Sequence, residues 1–334
     1  MTRRALLVST SNPYPVVRDG CQRLVSDYVD AMFPQHEMHF LHVTREDWSP
    51  LALFHGGVAT PQDVDIERLL AEDFAFVVFI GFKDHDFPRR LASARPSFCY
   101  TDRFPHPDVP GEVFRGILSH RSDDASEHVL IVGGHFDERV FFCDRKPEEH
   151  VLAVGRIHPD KNQLELVARY RETVYESLGL PLVLAGGVAD PAYHGAVAPF
   201  VDGVSVISTI PDPSEASADA GWRSARELAD LYNRARLYVS ASRQESFSMS
   251  MIEAMACGTT CVVNGNYWGF AESELAPRVY GNVTGIHGCV LDLVTQALAD
   301  DVRIDASGWV QQYALTGTRD TVGRFIDARL AGEA

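Results

Sequence analysis

The apolar positions of this chain fall into short unbroken runs separated by helical patterns. Residues 6–11 form an apolar strand, the loop "NPYPVVRDG" follows, and a helical spacing runs from about 21 to 32. "MHFLHV" (38–43), "FAFVVFIG" (74–81), "PSFCYT" (96–101) and "HVLIVGG" (128–134) read as further strands, with "FPRRLASA" a short helix among them. Unbroken runs mark strands covered on both faces, and their alternation with helices predicts a parallel sheet. "FFCDRKPEEH" (141–150) is polar, charged and broken by proline, so it reads as a linker.

A second series then begins. "HVLAVG" (150–155), "PLVLAGG" (181–187), "VSVISTI" (204–210), "RLYVSAS" (236–242) and "TTCVVNG" (259–265) read as strands. "NQLELVARYRETVYESL", "RELADLYNRA" and "SMSMIEAMAC" read as helices, and one helical stretch, "SGWVQQYALTGTRDTVGRFIDARL", closes the chain. The pattern predicts an α/β protein of two Rossmann-like domains, 1–145 and 146–305, facing across a cleft that takes ligand near the strands' carboxyl ends. Residues 306–334 are the closing helix. The Ser-, Asp- and Ala-rich segment 211–224 reads as a surface insertion, and "SDDASE" (122–127) as a solvated turn.

Composition narrows the function. The chain has 334 residues, 46% hydrophobic and 23% charged, with a net charge of −16 and a pI of about 5.2. No basic stripe marks a nucleic-acid binder. No stretch approaches the roughly 20 apolar residues that span a bilayer, so stable membrane insertion is not expected. The start, "MTRRALLVST", reads as a first strand and not as a signal peptide. Six cysteines include no C-x-x-C pair, so reduced, mostly buried thiols are expected, which suits a cytoplasmic enzyme.

Two stretches carry chemistry. In "RQESFSMSMIEAMACG" (243–258) a strand gives way to a turn and then to a helix beginning near 246–248. The first amides of a helix lack internal partners and sit at its positive end, which makes an anion site of Ser246, Phe247 and Ser248. Glu245, just ahead, would repel a diphosphate and so must face hydroxyl groups. Glu253 lies inside an oily helix, where a carboxylate needs a partner; a ribose diol would satisfy it, and so would an ion pair. In "VGRIHPDKN" (154–162), Arg156 and Lys161 follow a strand that ends at Gly155. An arginine fork and a lysine point charge at a strand tip suggest a diphosphate clamp.

"VGRIHPDKN", "LVLAGG" and "ELADLYNRARLYVSASRQESFSMSMIEAMACGTTCVV" together resemble glycosyltransferase family 4 on a GT-B fold. "GGHFDERVF" (133–141) resembles the family's segment before the interdomain linker, and "HEMHFLHV" (36–43) its second strand. Glu245 and Glu253 are spaced as the family's paired acids are. The resemblance is close over most of the C-terminal half and loose over the N-terminal half. It implies that Arg156 and Lys161 hold the donor's diphosphate, Glu253 the ribose and Glu245 the donor sugar. Phe247 and Ser248 would lend backbone amides. Gly20 would let the first domain's backbone approach the donor, and Thr209 and Ile210 would lie beside the base. It also implies that the last helix, with Trp309 near its start, crosses back to the first domain.

The sequence departs from the family's pattern in three places. Asp19-Gly20 stands where a Gly-Gly pair is usual. "CYTDRF" (99–104) offers Asp102 where a histidine is usual, leaving His85 and His106 as the nearby histidine candidates on the acceptor side. Tyr267 and Trp268 replace small residues.

The resemblance implies a retaining, metal-independent transfer from a GDP- or UDP-linked sugar to a small soluble acceptor: a sugar, cyclitol, natural product or small thiol. No cofactor is implied beyond the donor substrate. The alternatives are a GT-B epimerase acting on the sugar nucleotide and a silent nucleotide-sugar-binding protein. A nicotinamide dehydrogenase is disfavoured because neither first turn carries G-x-G-x-x-G.

Overall fold

A computed structural model describes residues 3–13, 20–55, 64–122, 127–209, 224–283 and 288–332. Most of the insertion at 211–224, the tip of the 122–127 turn and Ile210 therefore lie outside the described residues. The chain folds as two compact units, one of Met1–Gly134 with Leu315–Ala334 and one of His135–Ala314.

The first unit holds seven strands: β1 (Arg3–Ser9), β2 (His36–Val43), β3 (Pro50–His55), β4 (Val77–Ile80), β5 (Ser97–Phe104), β6 (Gly116–Ser122) and β7 (Val129–Ile131). Their order is β3-β2-β1-β4-β5-β6-β7. Every pair is parallel except β2 with β3, which makes β3 an antiparallel edge. The unbroken apolar runs are explained by burial on both faces. Ala5, Leu7, Phe76, Val78, Phe98 and Tyr100 pack into one layer, while Leu6, Val8, Val77, Phe79 and Cys99 pack into the other. Alternate residues of one strand thus serve two cores.

The second unit holds a six-stranded, all-parallel sheet of β8 (His150–Val154), β9 (Leu182–Ala185), β10 (Val206–Ser208), β11 (Ala235–Ser240), β13 (Cys261–Asn264) and β15 (Tyr280–Asn282). Its order is β10-β9-β8-β11-β13-β15. A two-residue parallel pair, β12 (Gln244–Glu245) with β14 (Asn266–Tyr267), extends beyond the tips of β11 and β13.

Two segments differ from the sequence expectation. Residues 141–150, expected as the linker between domains, belong to the second unit; most of them are exposed and irregular, but they are fastened to that unit. Phe136 and Phe141 are buried in the second unit's core, and the Asn233 side chain receives the Asp144 amide at 2.7 Å while donating to the Phe142 carbonyl at 3.1 Å. The closing helix is also not continuous. Short turns at Ser307–Val310 and Gln311–Tyr313 belong to the second unit, Ala314 is extended, and Leu315–Ala331 is a separate helix in the first unit. The break falls where Ala314 bridges Phe136 and the Phe136 amide donates to the Tyr313 carbonyl at 3.1 Å. That tertiary pairing overrides good local helix propensity. The final helix buries Val322 and Ile326 in the first unit's core and sets Phe325 edge-on to Phe98.

Cys99, Cys257 and Cys261 are buried unpaired thiols, and burial pushes each above its ordinary pKa. Cys143 is exposed. No helix among the described residues is long and apolar enough to cross a membrane.

Burial holds His36, His39, His42 and His120 of the first unit below the ordinary imidazole pKa, His120 at about 4. These rings stay neutral in the fold, while the unfolded chain takes up protons below about pH 6.5. The unfolded state then binds more protons, so their contribution is intact above that pH and declines as pH falls toward 4. The urea midpoint is expected to be lower at pH 5 than at pH 7.5; an equal or higher midpoint at pH 5 would contradict this.

Candidate functional site

In the second unit's sheet β8 is laid down first. β9 and β10 add on one side, and β11, β13 and β15 on the other. Strand order therefore reverses between β8 and β11, and loops leaving neighbouring carboxyl ends diverge there, which is where open parallel sheets seat ligands. The loop after β8 carries Gly155, Arg156 and Lys161. The loop after β11 carries residues 243–248.

The first loop is built by its own sequence. Pro159 opens a single 3-10 turn, the His158 ring accepts from the Asp160 amide, and Asn162 closes the turn in the left-handed region at φ 54°, which asparagine tolerates. The Gln163 side chain donates to the Arg156 carbonyl at 2.7 Å and fastens the loop to the next helix. The turn folds the Lys161 stem back over Gly155, where a Cβ would lie 3.8 Å from its Cγ. Lys161 Nζ donates to the carboxylate of Glu245, which is only 13% exposed. This ion pair joins the β8 and β11 loops across the reversal point. The Arg156 side chain is exposed at the same tip.

Gly186, leaving β9, sits at φ 146° with its α-carbon against the Gly155 carbonyl, so a Cβ there would overlap backbone. Gly186→Ala is expected to lower stability by about 1–3 kcal/mol, read as a shift in urea midpoint; an unchanged midpoint would show that the two tips are not tightly seated.

The second loop leads into the helix Met249–Ala256, capped by Ser248, whose hydroxyl accepts from the Met251 amide at 3.4 Å. The β12–β14 pair holds this entry: the Trp268 amide donates to the Glu245 carbonyl at 3.2 Å and the Gly269 amide to the Ser246 carbonyl at 2.8 Å. The Phe247 ring is buried, stacked on Phe270 at 4.5 Å and edge-on to Tyr313. Tyr267 packs in the core, and Trp268 is half-buried. Thr209 continues the β10–β9 ladder, its amide donating to the Leu184 carbonyl at 2.9 Å.

Glu253 is 2% exposed and accepts from the Tyr232 hydroxyl at 3.2 Å. The sequence expectation set this carboxylate at a ribose. Here the Tyr232 bond to its Oε2 also ties Met249–Ala256 to the helix Ala225–Arg234. Glu253→Ala leaves that phenol without this acceptor and is expected to cost about 1–3 kcal/mol, measured by urea unfolding; a variant within 0.5 kcal/mol of the parent would rule out the tie.

The structure does not bring the acceptor-side histidine candidates of the first unit together as a site. Gly20 opens the helix Gly20–Asp27. His85 is an exposed helix N-cap whose ring makes no capping bond. The His106 ring accepts from the Asp108 amide at 3.1 Å and serves its own turn. Asp102, 66% exposed, instead faces His120 at 3.6 Å, and His120 Nε2 lies 2.5 Å from the Tyr100 hydroxyl. Sequence reasoning missed His120 because it missed β6; Asp102 and His120 take opposed positions between the register pairs Thr101–Ser119 and Arg103–Arg121.

Residues 148–302 match the family model described as Glycosyl transferases group 1. No curated protein matches the chain. Among solved structures, a glycosyltransferase from Rickettsia africae aligns over 99% of this chain and 99% of its own at 10% identity, with a TM-score of 0.65. HepE from Anabaena, solved with UDP and glucose, aligns over 98% of this chain and 100% of its own at 11% identity and a TM-score of 0.64. AviGT4, a glycosyltransferase of avilamycin A biosynthesis, aligns over 98% of both chains at 16% identity and a TM-score of 0.63. The α/β fold, with its largely parallel sheets, is that of the GT-B glycosyltransferases.

Proposed function

We propose that this glycosyltransferase, whose group 1 domain spans residues 148–302, moves a sugar from a UDP-linked donor to a small soluble acceptor, with retention and without a metal. The observation that carries the reading is the Lys161–Glu245 pair across the β8–β11 reversal. It sets a cation for diphosphate beside an acid for sugar hydroxyls. Arg156 adds a planar donor fork, and the first amides of Met249–Ala256 add a partial positive charge. The UDP held by HepE supports uridine over guanosine, and Thr209, at the β10 tip, is the residue that the resemblance sets beside the base.

Transfer breaks the bond between the anomeric carbon and a phosphate oxygen, and the electron pair leaves with the diphosphate. Arg156, Lys161 and the helix start hold that growing charge in place, which is the effect that lowers such barriers most. The acceptor attacks from the same face, its proton passing to the departing phosphate. Lys161 must exchange Glu245 for phosphate as donor binds, and this releases Glu245 to the sugar.

Thermal unfolding with UDP, GDP and ADP tests the reading. A nucleotide at about 100 times its Kd stabilises the native state by about 2.7 kcal/mol. UDP is expected to raise the midpoint most; no response to any diphosphate would overturn the assignment.

A further inference from the structure

The short helix Gln163–Val167, which follows the Lys161 turn, is fastened from outside itself. The Tyr193 hydroxyl, from the helix Pro191–Val197, accepts from the Leu164 amide at 2.9 Å. Glu165 uses both of its carboxylate oxygens, each on a different partner. Oε1 accepts at 3.1 Å from the amide of Val290, the first residue of the helix Val290–Ala299, whose own N-cap, Cys289, makes no side-chain capping bond. Oε2 accepts from the Asn162 side-chain amide at 2.5 Å. All of these residues belong to the second unit.

The two bonds of Glu165 do different things. A helix start offers unpaired amides and a partial positive charge, so the carboxylate is anchored at Val290. Asn162 stands at φ 54°, a left-handed conformation that asparagine keeps by bonding locally through its side chain. Here that bond goes to Glu165. The same conformation closes the turn Pro159–Lys161 and so sets the course of the Lys161 stem, which passes over Gly155 to reach Glu245. Contacts therefore run from Val290 through Glu165 and Asn162 to Lys161.

We propose that Glu165 is a positioning residue: anchored on the start of Val290–Ala299, it holds Asn162 in the left-handed region and thereby aims Lys161. It acts through Lys161 and not on the substrate. Its consequence for donor binding rests on the glycosyltransferase reading above; its hold on Lys161 does not.

The test uses the full chain and two readouts. The first is competitive acetylation with limiting acetic anhydride, read lysine by lysine by mass spectrometry. The chain has three lysines, Lys83, Lys146 and Lys161, and Lys146 reports any general loosening of the same unit. Glu165→Ala is expected to raise labelling of Lys161 relative to Lys146 about threefold or more. Asn162→Gly cuts the same tie, accepts φ 54° without strain and leaves the Val290 cap in place, so it carries the test even where Glu165→Ala does not fold. It is expected to raise Lys161 labelling likewise, and the double variant to add nothing to the larger single effect. Glu165→Gln keeps an oxygen for the Val290 amide, and Asn162 can turn its own oxygen to the new amide group; labelling is expected within about twofold of the parent's. The second readout is the calorimetric Kd for UDP, which Glu165→Ala is expected to weaken about 5- to 10-fold.

Unchanged Lys161 labelling in either single variant would overturn the assignment, as would a rise shared equally by Lys146, which is what a merely structural Glu165 gives. A Glu165→Gln effect as large as that of Glu165→Ala would also overturn it, since charge and not the tie would then matter. A UDP Kd unchanged in Glu165→Ala would overturn the role in donor binding. Failure of UDP to bind the parent would instead strike the donor reading, while the labelling still decides whether Glu165 aims Lys161.

Discussion

Lys161→Ala is expected to remove most of the thermal stabilisation that UDP gives and to slow transfer by about 10²–10³-fold, as losing one preorganised donor to a developing anion does. The chain has only three lysines among its 30 cationic residues. Lys146 pairs with Asp230 and Lys83 reaches the Glu46 carbonyl, whereas Lys161 is held at the sheet's reversal point by the turn from Pro159 to Asn162. Arginine cannot replace it without moving that turn, because the stem lies over Gly155 and a planar fork needs more room than an ammonium. Lys161→Arg should recover UDP binding only in part. A variant that keeps both the UDP shift and the transfer rate would show that Lys161 serves only to neutralise Glu245.

Glu245→Gln is expected to separate nucleotide from sugar. The change keeps size and removes the charge that competes with phosphate for Lys161 and repels the diphosphate. Binding of UDP alone should be unchanged or up to about tenfold tighter, a difference of about 1.4 kcal/mol. Turnover of the UDP-sugar should fall at least about 10²-fold, because Glu245 no longer accepts strongly from the sugar hydroxyls. Calorimetry with UDP beside a release assay with UDP-glucose reads both. If Glu245 merely supports the loop, both quantities stay within about twofold.

Much of the second unit was legible because its chemistry is local. β8, β9, β11 and β13 are short, largely apolar runs, each soon followed by glycine or polar turn residues. The turn that aims Lys161 is written in "HPDKN" itself. Elements whose stability comes from neighbours were not legible. β6, "GILSHRS", has too many polar residues for a buried run, and its Ser119 and His120 make sense only against β5. β15 is three residues long, and the antiparallel β3 breaks the pattern of parallel repeats. The acid inside the oily helix raised the right question, since Glu253 does need a partner. One partner, Tyr232, comes from a helix 21 residues earlier, a contact that no spacing rule supplies. The same holds for the helix break at Ala314, which follows from its bridge to Phe136 and not from local composition.

The central claim is that diphosphate binds where the β8 and β11 loops diverge. A crystal structure of the protein grown with UDP tests it most directly. The account predicts phosphate oxygens within about 4 Å of Lys161 Nζ and beside the Arg156 guanidinium, with Lys161 drawn off Glu245. A diphosphate bound elsewhere, with Lys161 still paired to Glu245, would contradict it.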